Sequence, residues 1–222
     1  MIKGIKALGI NMEAIKGDYM MYKLNKEYTY DGKVKCRHVG YHYFESIRDV
    51  MTLYNLNESR LFECELNGDK FDCDDIVHCT NKIKLVREIT KEEILKYIED
   101  NIEELVNDED WFVRLEVAKQ GYGLDKLVND EDWYVRCEIV KQGYGLDKLV
   151  NDEDWRVRLE VVKQGYGLDK LVNDEDWRVR REVARQGYGL IRLSFDKDKL
   201  IKNEARIKLC LYIKEKLISL FR

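Results

Sequence analysis

The chain has 222 residues, of which 45% are hydrophobic and 37% are charged, and its formal net charge is −4. No apolar run approaches the roughly 20 residues that a membrane helix needs, and the lysine-bearing amino terminus lacks an apolar signal-peptide core, so we expect a cytoplasmic protein with no membrane contact. The charge is uneven, since residues 107–190 carry 19 acidic and 14 basic side chains while residues 191–222 carry 4 and 9. An acidic array argues against direct nucleic-acid binding and favours a protein partner with a basic surface.

Residues 1–89 have short alternating apolar runs between Gly and Asp turn signals, which is typical of β-strands. Residues 61–66 and 83–89 are the clearest of these runs. Between them the segment 46–54 predicts one helix, with Ser46 as its N-cap and Asp49 completing a capping box. We therefore expect a small α+β domain.

Several short motifs are spread through this segment. They are Lys3-Gly4, Tyr28, Gly40-Tyr41-His42, Asp49-Val50, Tyr54, Glu63 to Gly68 and Lys82 to Ile89. Through them, residues 1–89 resemble a domain of unknown function found in phage and prophage proteins, a resemblance that assigns no chemistry. More distantly, a glycine-aromatic pair, a helix ending in Tyr and a strand ending in Gly resemble the layout of ADP-ribosyltransferase folds.

The same segment contains all three histidines and four of the six cysteines. Four zinc ligands could come from the set Cys36, His38, His42, Cys73, His78 and Cys79. Their spacing matches no tight Cys-x-x-Cys pattern, and cysteines on strands are usually core residues. We predict no metal and no cofactor, and we expect reduced thiols.

Residues 90–106 are expected to form an amino-terminal capping helix for the array that follows. The pair Thr90 and Glu93 forms a capping-box pattern ahead of an amphipathic run, which predicts a helix over 91–99. Six acidic side chains make this the most acidic part of the chain. A solvated helix face accounts for them, and a docking site for a basic partner is the alternative.

Residues 107–190 contain four copies of one 22-residue repeat, marked by tryptophans 111, 133, 155 and 177. This period is typical of short helical solenoid units. Each copy divides into an α-helix, which we expect Asp108 to cap and Gly121 to end in a left-handed conformation, and a short 3-10 turn.

Advancing 100° per residue along the repeat helix separates two arcs. One arc, predicted to face inward, contains Asp110, Trp111, Val113, Arg114, Val117 and Ala118. A buried arginine must be paired, so we expect a structural ladder in which the arginine bonds an aspartate four residues earlier or one repeat away. Its members are Asp110, Arg114, Asp132, Arg136, Asp154, Arg158, Asp176 and Arg180. Truncating Arg136 to alanine is expected to cost about 3 kcal/mol.

This Asp and Val-Arg arrangement resembles leucine-rich-repeat variant and HEAT-like repeats. The resemblance covers residues 105–189 and implies an internal Asp–Arg ladder between stacked units. In those families a proline often stands at the position of Glu109, whereas this chain has no proline.

The other arc differs between copies, so we expect it to carry any binding specificity, although drift on a solvated face explains the differences equally well. Together with the acidic entrance it makes up the predicted partner-binding set. That set is Glu103, Glu104, Asp108, Glu109, Phe112, Leu115, Tyr134, Arg156, Arg178 and Arg181.

Residues 191–222 are predicted to be a worn fifth repeat followed by a long capping helix. The expected fold is thus an α+β domain followed by an all-α solenoid. We expect a non-enzymatic interaction module, encoded by a phage or prophage, that inhibits a host protein such as a CRISPR-type defence effector through an acidic edge resembling phosphates. The alternative is an enzyme in residues 1–89, either transferase-like or based on a Cys/His pair, with Cys36, His38, His42 and Glu65 as the residues to test. A third option is a nucleic-acid contact by the basic tail.

Overall fold

A computed structural model describes residues 2–14, 20–35 and 39–220 of the chain. The chain divides into two compact units, Met1–Tyr122 and Gly123–Arg222. The first unit therefore contains the α+β domain, the entrance helix and the helix of the first repeat, whereas the sequence predicted a domain boundary near residue 89.

The first unit contains two antiparallel sheets. One has the strand order β1-β4-β7-β2 and the other β3-β6-β5. The strands are β1 (Ile2–Leu8), β2 (Glu27–Thr29), β3 (Tyr41–Tyr43), β4 (Arg60–Leu66), β5 (Lys70–Asp72), β6 (His78–Thr80) and β7 (Lys82–Ile89).

The larger sheet is built on β4, which pairs with β1 on one side and β7 on the other. Its apolar residues pack with tyrosines from the neighbouring segments into one buried cluster, which removes their surface from water. The members are Leu8, Tyr22, Tyr28, Tyr43, Phe62, Cys64, Leu66, Ile83 and Leu85. The predicted strands in residues 61–66 and 83–89 are confirmed.

The helices of the first unit are α1 (Ile47–Met51), α2 (Lys91–Asp100), α3 (Ile102–Leu105) and α4 (Trp111–Lys119). Both predicted capping boxes are present. Ser46 accepts a hydrogen bond from the backbone of Asp49, and Thr90 accepts one from Glu93, while each acid bonds back to the N-cap backbone. These reciprocal bonds satisfy N–H groups that have no partner within the helix, which explains why both helices begin where the sequence predicted.

The second unit is a regular series of helices with a 22-residue period. They are α5 (Leu124–Leu127), α6 (Trp133–Lys141), α7 (Leu146–Leu149), α8 (Trp155–Lys163), α9 (Leu168–Leu171), α10 (Trp177–Arg185), α11 (Leu190–Leu193) and α12 (Lys199–Leu220). The nine-residue helices α6, α8 and α10 pack in succession, and α12 packs on α10 and α11. Among the described residues, no helix is both long and apolar enough to cross a lipid bilayer.

The nine-residue helices begin two residues later than the sequence predicted. The N-cap of α4 is Asp110, whose carboxylate accepts a hydrogen bond from the backbone N–H of Phe112 at 2.9 Å. The prediction that Asp108 caps this helix is therefore wrong, and the same holds in α6, α8 and α10, where the second aspartate of each Asp-Glu-Asp triplet is the cap.

The first aspartate of each triplet takes the role that the sequence assigned to the second. The Nε and Nη2 groups of Arg136 donate to Asp152 at 2.7 and 2.9 Å, and Arg158 binds Asp174 in the same way. The pairing continues from Arg180 to Asp196. The predicted ladder is present, and each arginine binds an aspartate of the next repeat. The aspartates predicted as its acidic members are helix N-caps instead: Asp110, Asp132, Asp154 and Asp176.

The third nitrogen of each arginine completes the arrangement. Nη1 of Arg136 donates to the carbonyl oxygens of Asp130 and Glu131 at 2.8 and 3.0 Å. Asp152 also accepts the backbone N–H of Asp154. The guanidinium, which is buried, thus has a bidentate carboxylate partner and two carbonyl partners, as a buried charge requires.

The connector between helices depends on two left-handed glycines. In the first connector they are Gly121, which has φ +83° as predicted, and Gly123 with φ +61°, and in the next one they are Gly143 and Gly145, with φ +75° and +63°. A Cβ at Gly145 would lie 2.5 Å from the Cγ2 of Val128 in the preceding repeat. The glycine therefore supplies both a backbone conformation and a close approach that no larger residue allows. The short turns that follow carry four-residue helical segments with i to i+4 hydrogen bonds, such as Leu149 N–H to the oxygen of Gly145, rather than the predicted 3-10 turn.

The predicted fifth repeat is confirmed in outline. α12 begins at Lys199, which occupies the tryptophan position, and Asp198 caps it by accepting the N–H of Leu200 at 2.8 Å. Ile201 and Ala205 are fully buried, whereas residues 210–218 are exposed. The first part of α12, as far as Lys208, whose ammonium donates to the carbonyl of Arg185, therefore covers the end of the array.

The two aspartates of one triplet are expected to respond differently to the same substitution. Asp152→Asn removes the charge that pairs with the buried Arg136 and should lower the free energy of unfolding by about 3 kcal/mol. Asp154→Asn should change it by less than about 1 kcal/mol, because asparagine caps helices as well as aspartate does. Urea denaturation of both variants measures the difference. Equal losses would contradict the division of roles within the triplet.

Candidate functional site

A row of stacked aromatic and arginine side chains lies along the nine-residue helices of the second unit. We call it the Trp–Arg stack, and it consists of Trp133, Tyr134, Trp155, Arg156, Trp177 and Arg178. The rings of Trp133 and Tyr134 stack with centroids 3.6 Å apart. The guanidinium carbon of Arg156 lies 4.4 Å from the Trp133 centroid and 5.1 Å from that of Trp155.

The next repeat continues the same pattern. The guanidinium carbon of Arg178 lies 3.7 Å from the centroid of Trp155 and 5.5 Å from that of Trp177. Each arginine therefore lies between the tryptophans of two successive repeats, within the distance at which a cation interacts favourably with an aromatic face. The stack is continuous over three repeats.

The arginines of the stack are also held by the N-cap aspartates. Arg156 Nη1 lies 2.8 Å from Asp154, and Arg178 Nη2 lies 3.0 Å from Asp176. Burial opposes ionisation of Asp176, but hydrogen bonds from the side chain and backbone of Arg178 outweigh it, so the pKa of the carboxyl group lies below its ordinary value. Both guanidinium groups are thus positioned and largely neutralised before any partner binds.

The stack remains accessible to solvent. Tyr134 is 50% exposed and Trp177 is 41% exposed, while Trp133 and Trp155 are half-buried. The prediction that the repeat tryptophan faces inward is therefore wrong. The reason is that the helix begins at the tryptophan, so the indole lies at the first helical position beside the arginine of the neighbouring repeat, and valines form the interior instead.

The other predicted contacts of the variable arc are not exposed side chains. Leu115 is buried and Phe112 is half-buried, with the Lys119 ammonium 5.5 Å from its ring centroid. Arg181 forms an ion pair at 2.8 Å with Glu204 of α12. Of the predicted arc residues, the structure brings Tyr134, Arg156 and Arg178 together on an open surface.

Not all of the predicted partner-binding acids at the start of the array are exposed. Three of the predicted partner-binding acids, Glu103, Glu104 and Glu109, are exposed. Asp108 instead accepts two hydrogen bonds from Arg48 of α1, both at 2.8 Å, and its side chain is only 6% exposed. Burial opposes its ionisation, but the bonds from Arg48 lower its pKa below the ordinary value. Asp108 is therefore an internal ligand and not part of an exposed edge.

Sequence reasoning missed Arg48 in this contact and Glu116 in a second contact of α4 with the α+β domain. Glu116 is completely buried, and its carboxylate accepts the backbone N–H of Leu56 at 2.9 Å. One signal could have pointed to Arg48. Asp108 is the first aspartate of the ladder series, and no repeat arginine precedes it in the sequence, so its buried carboxylate needs a cation from residues 1–89.

The residues named for an enzyme do not form a catalytic constellation among the described residues. Glu65 pairs with Lys84 at 3.5 Å on neighbouring strands, and Cys36 and His38 lie outside the described residues. Burial raises the pKa of the Cys64 thiol to about 12, so it is protonated at neutral pH and unsuited to nucleophilic attack. His42 lies beside Cys73 and Cys79, with their ligand atoms within 4.8 Å of one another.

The comparisons with known proteins concern the first unit. A family model described as a domain of unknown function (DUF7666) matches residues 2–97. No curated protein and no solved structure gives a significant match. The matched range ends within α2, so it covers the two sheets and excludes the repeats.

Replacement of Arg48 tests whether the first repeat helix depends on the α+β domain. Arg48→Met should destabilise the first unit by about 2 kcal/mol, because it leaves the buried Asp108 without its cation, a cost moderated by the partial exposure of Arg48. Hydrogen exchange of the amides in α1 and α4 should accelerate. Arg87→Met serves as the control, since Arg87 makes exposed ion pairs with Glu63 and Glu93 that contribute less than about 1 kcal/mol. Unchanged exchange in α4 would refute this dependence.

Proposed function

We propose that this chain is a non-enzymatic protein-interaction module and that the Trp–Arg stack is its main contact surface. The observation that carries the proposal is a continuous, half-exposed row of tryptophan, tyrosine and arginine held on successive repeats. Tryptophan, tyrosine and arginine are the residue types that contribute most to binding energy at protein interfaces.

The rigidity of the stack supports the same proposal. Each arginine is fixed by two ring faces and by one carboxylate. A partner therefore meets side chains that have already lost most of their rotamer freedom, which lowers the entropic cost of association. A purely structural role would not require Tyr134, half of whose surface is open to solvent.

We further propose that acidic side chains steer a partner with a basic surface toward this module. The exposed acids are Glu103, Glu104 and Glu109 at the entrance and the middle glutamates of the later triplets, of which Glu153 has a side-chain exposure of 90%. Charges of one sign at an interface raise the rate of association with a partner of opposite charge. The other two acids of each triplet are used in the ladder and the caps, so within each triplet the glutamate is the acid that is left for a partner.

The finer proposal concerns the identity of the partner. The resemblance of residues 1–89 to phage and prophage proteins supports a phage-encoded role in which the module binds and inhibits a host defence effector that targets nucleic acids. Regularly spaced glutamates resemble the phosphates that such an effector binds. A protein partner of this class would have a basic groove complementary to the edge.

A paired substitution in the Trp–Arg stack tests the contact surface. The full chain is used to purify binding partners from its native host, and the main captured protein is then titrated against purified variants. Tyr134→Ala with Arg178→Ala should weaken binding at least thirtyfold, which corresponds to about 2 kcal/mol. The matched control is Tyr144→Ala with Lys163→Ala, an exposed tyrosine and lysine outside the stack. If both double variants fold and bind equally well, the stack is not the contact surface.

Charge reversal tests the acidic edge separately. Replacing Glu103, Glu104 and Glu109 with lysine should slow association several-fold at low salt and remove most of its salt dependence. The same reversal at Asp125, Asp147 and Asp169, exposed acids of the short turns, is the control for net charge. Stopped-flow measurement at two salt concentrations distinguishes the two sets, and equal effects would exclude a specific acidic route.

A further inference from the structure

Three side chains that commonly bind metals converge on one face of the three-stranded sheet. They are His42 on β3, Cys79 on β6 and Cys73, which follows β5 directly. One ligand atom from each, an imidazole nitrogen or a thiol sulfur, lies within 4.8 Å of the other two. Cys79 is fully buried, and His42 and Cys73 are half-buried.

The strand register explains this convergence. His42 is paired directly with Cys79, so their side chains lie on the same face of the sheet. On the neighbouring strand β5, Cys79 is paired with Phe71. Cys73 is two residues after Phe71, so its side chain lies on the same face of the sheet as that of Phe71. The β5–β6 hairpin thus brings together two cysteines that are six positions apart.

The hairpin loop is held closed beside the cysteines. Cys73 N–H donates to the carbonyl of Val77 at 3.0 Å. The Asp74 carboxylate accepts the backbone N–H groups of Ile76 and Val77 at 2.9 and 2.6 Å. The position of Cys73 relative to Cys79 is therefore defined by the strand pairing and by these hydrogen bonds of the loop.

The donor set matches the preferences of zinc. Zinc binds thiolate sulfur at about 2.3 Å and imidazole nitrogen at about 2.0 Å in tetrahedral sites, which places ligand atoms roughly 3.5–3.8 Å apart. The three ligand atoms lie within 4.8 Å of one another, so each separation exceeds this range by about 1 Å at most.

Charge balance is also favourable. The Lys6 ammonium lies close to this site, where its Nζ donates to the backbone oxygen of His42 at 2.7 Å. Two thiolates and a neutral imidazole bring the total charge with Zn²⁺ to zero, so the bound ion adds no net positive charge beside Lys6. Binding breaks two S–H bonds and releases both protons to solvent, without any change of oxidation state.

We propose that His42, Cys73 and Cys79 form a zinc site, with the fourth tetrahedral position taken by a solvent molecule or another donor. His78 is not part of it. Its Nδ1 lies 2.9 Å from Asp72 and its ring packs against Tyr43, on the face of the sheet opposite to Cys79. The site would link all three strands of the small sheet, and it is independent of the interaction surface on the repeats.

Metal analysis of the full chain tests this site. Protein purified under reducing conditions without chelator should contain about one equivalent of zinc by elemental mass spectrometry. Cys73→Ser, Cys79→Ser and His42→Ala should each lower this content at least tenfold, whereas Cys210→Ser, an exposed cysteine in α12, and His78→Gln should retain it. A Cys73→Ser variant that keeps a full equivalent would overturn the assignment.

A second measurement covers variants that fail to fold. The wild-type chain is stripped with a chelator and titrated with Co²⁺, whose thiolate charge-transfer and d–d absorption bands report sulfur ligands and tetrahedral geometry. One equivalent of tetrahedral cobalt, displaced by zinc, is the expected result. Absence of these bands, or a Cys73–Cys79 disulfide found by thiol titration under non-reducing conditions, would refute the proposal. Either failure leaves partner binding by the repeats unaffected.

Discussion

The repeat array depends on one buried arginine in each repeat. Its guanidinium donates to the carboxylate of the next repeat and to two carbonyl oxygens of its own Asp-Glu-Asp triplet. A buried guanidinium is tolerated only when its donors are satisfied. Because its carboxylate partner lies 16 residues ahead, in the next repeat, this requirement links each repeat to the one that follows. The helices of the array end and begin without proline, because left-handed glycines end each helix and aspartates cap the start of the next one.

The ladder also determines what remains available for binding. It uses the first acid of the triplet, and the N-cap uses the second, so one glutamate is left exposed per repeat. The tryptophan at the first helical position is displaced from the interior by valines and packs against an arginine of the next repeat. Residues that are identical in every copy therefore include an exposed ring as well as interior ones. A residue that is identical in every copy makes the same contact in each repeat, and in this array such contacts lie at the surface as well as in the core.

The α+β domain completes the same scheme in the first unit. Asp108 occupies the acidic position of the ladder, and Arg48 of α1 supplies the bidentate guanidinium that a preceding repeat would otherwise provide. The buried Glu116 accepts the N–H of Leu56 nearby. These contacts explain why the first repeat helix belongs to the same compact unit as the two sheets. A solenoid needs its terminal repeat covered. The first repeat helix is covered through the contacts of Asp108 with Arg48 and of Glu116 with Leu56.

The sequence by itself determined the local features: the 22-residue period, the two capping boxes, the strands of β4 and β7, the left-handed Gly121 and the burial of the repeat arginine. All of these follow from spacing along one element. The tertiary structure decided which aspartate of a triplet meets the arginine, because a shift of two residues in the start of each helix exchanges the roles of cap and ligand. It also decided that Arg48 pairs with Asp108 across 60 positions, and that strand register places His42 beside Cys79. Such contacts depend on how separate elements pack, and hydrophobic periodicity contains no information about that packing.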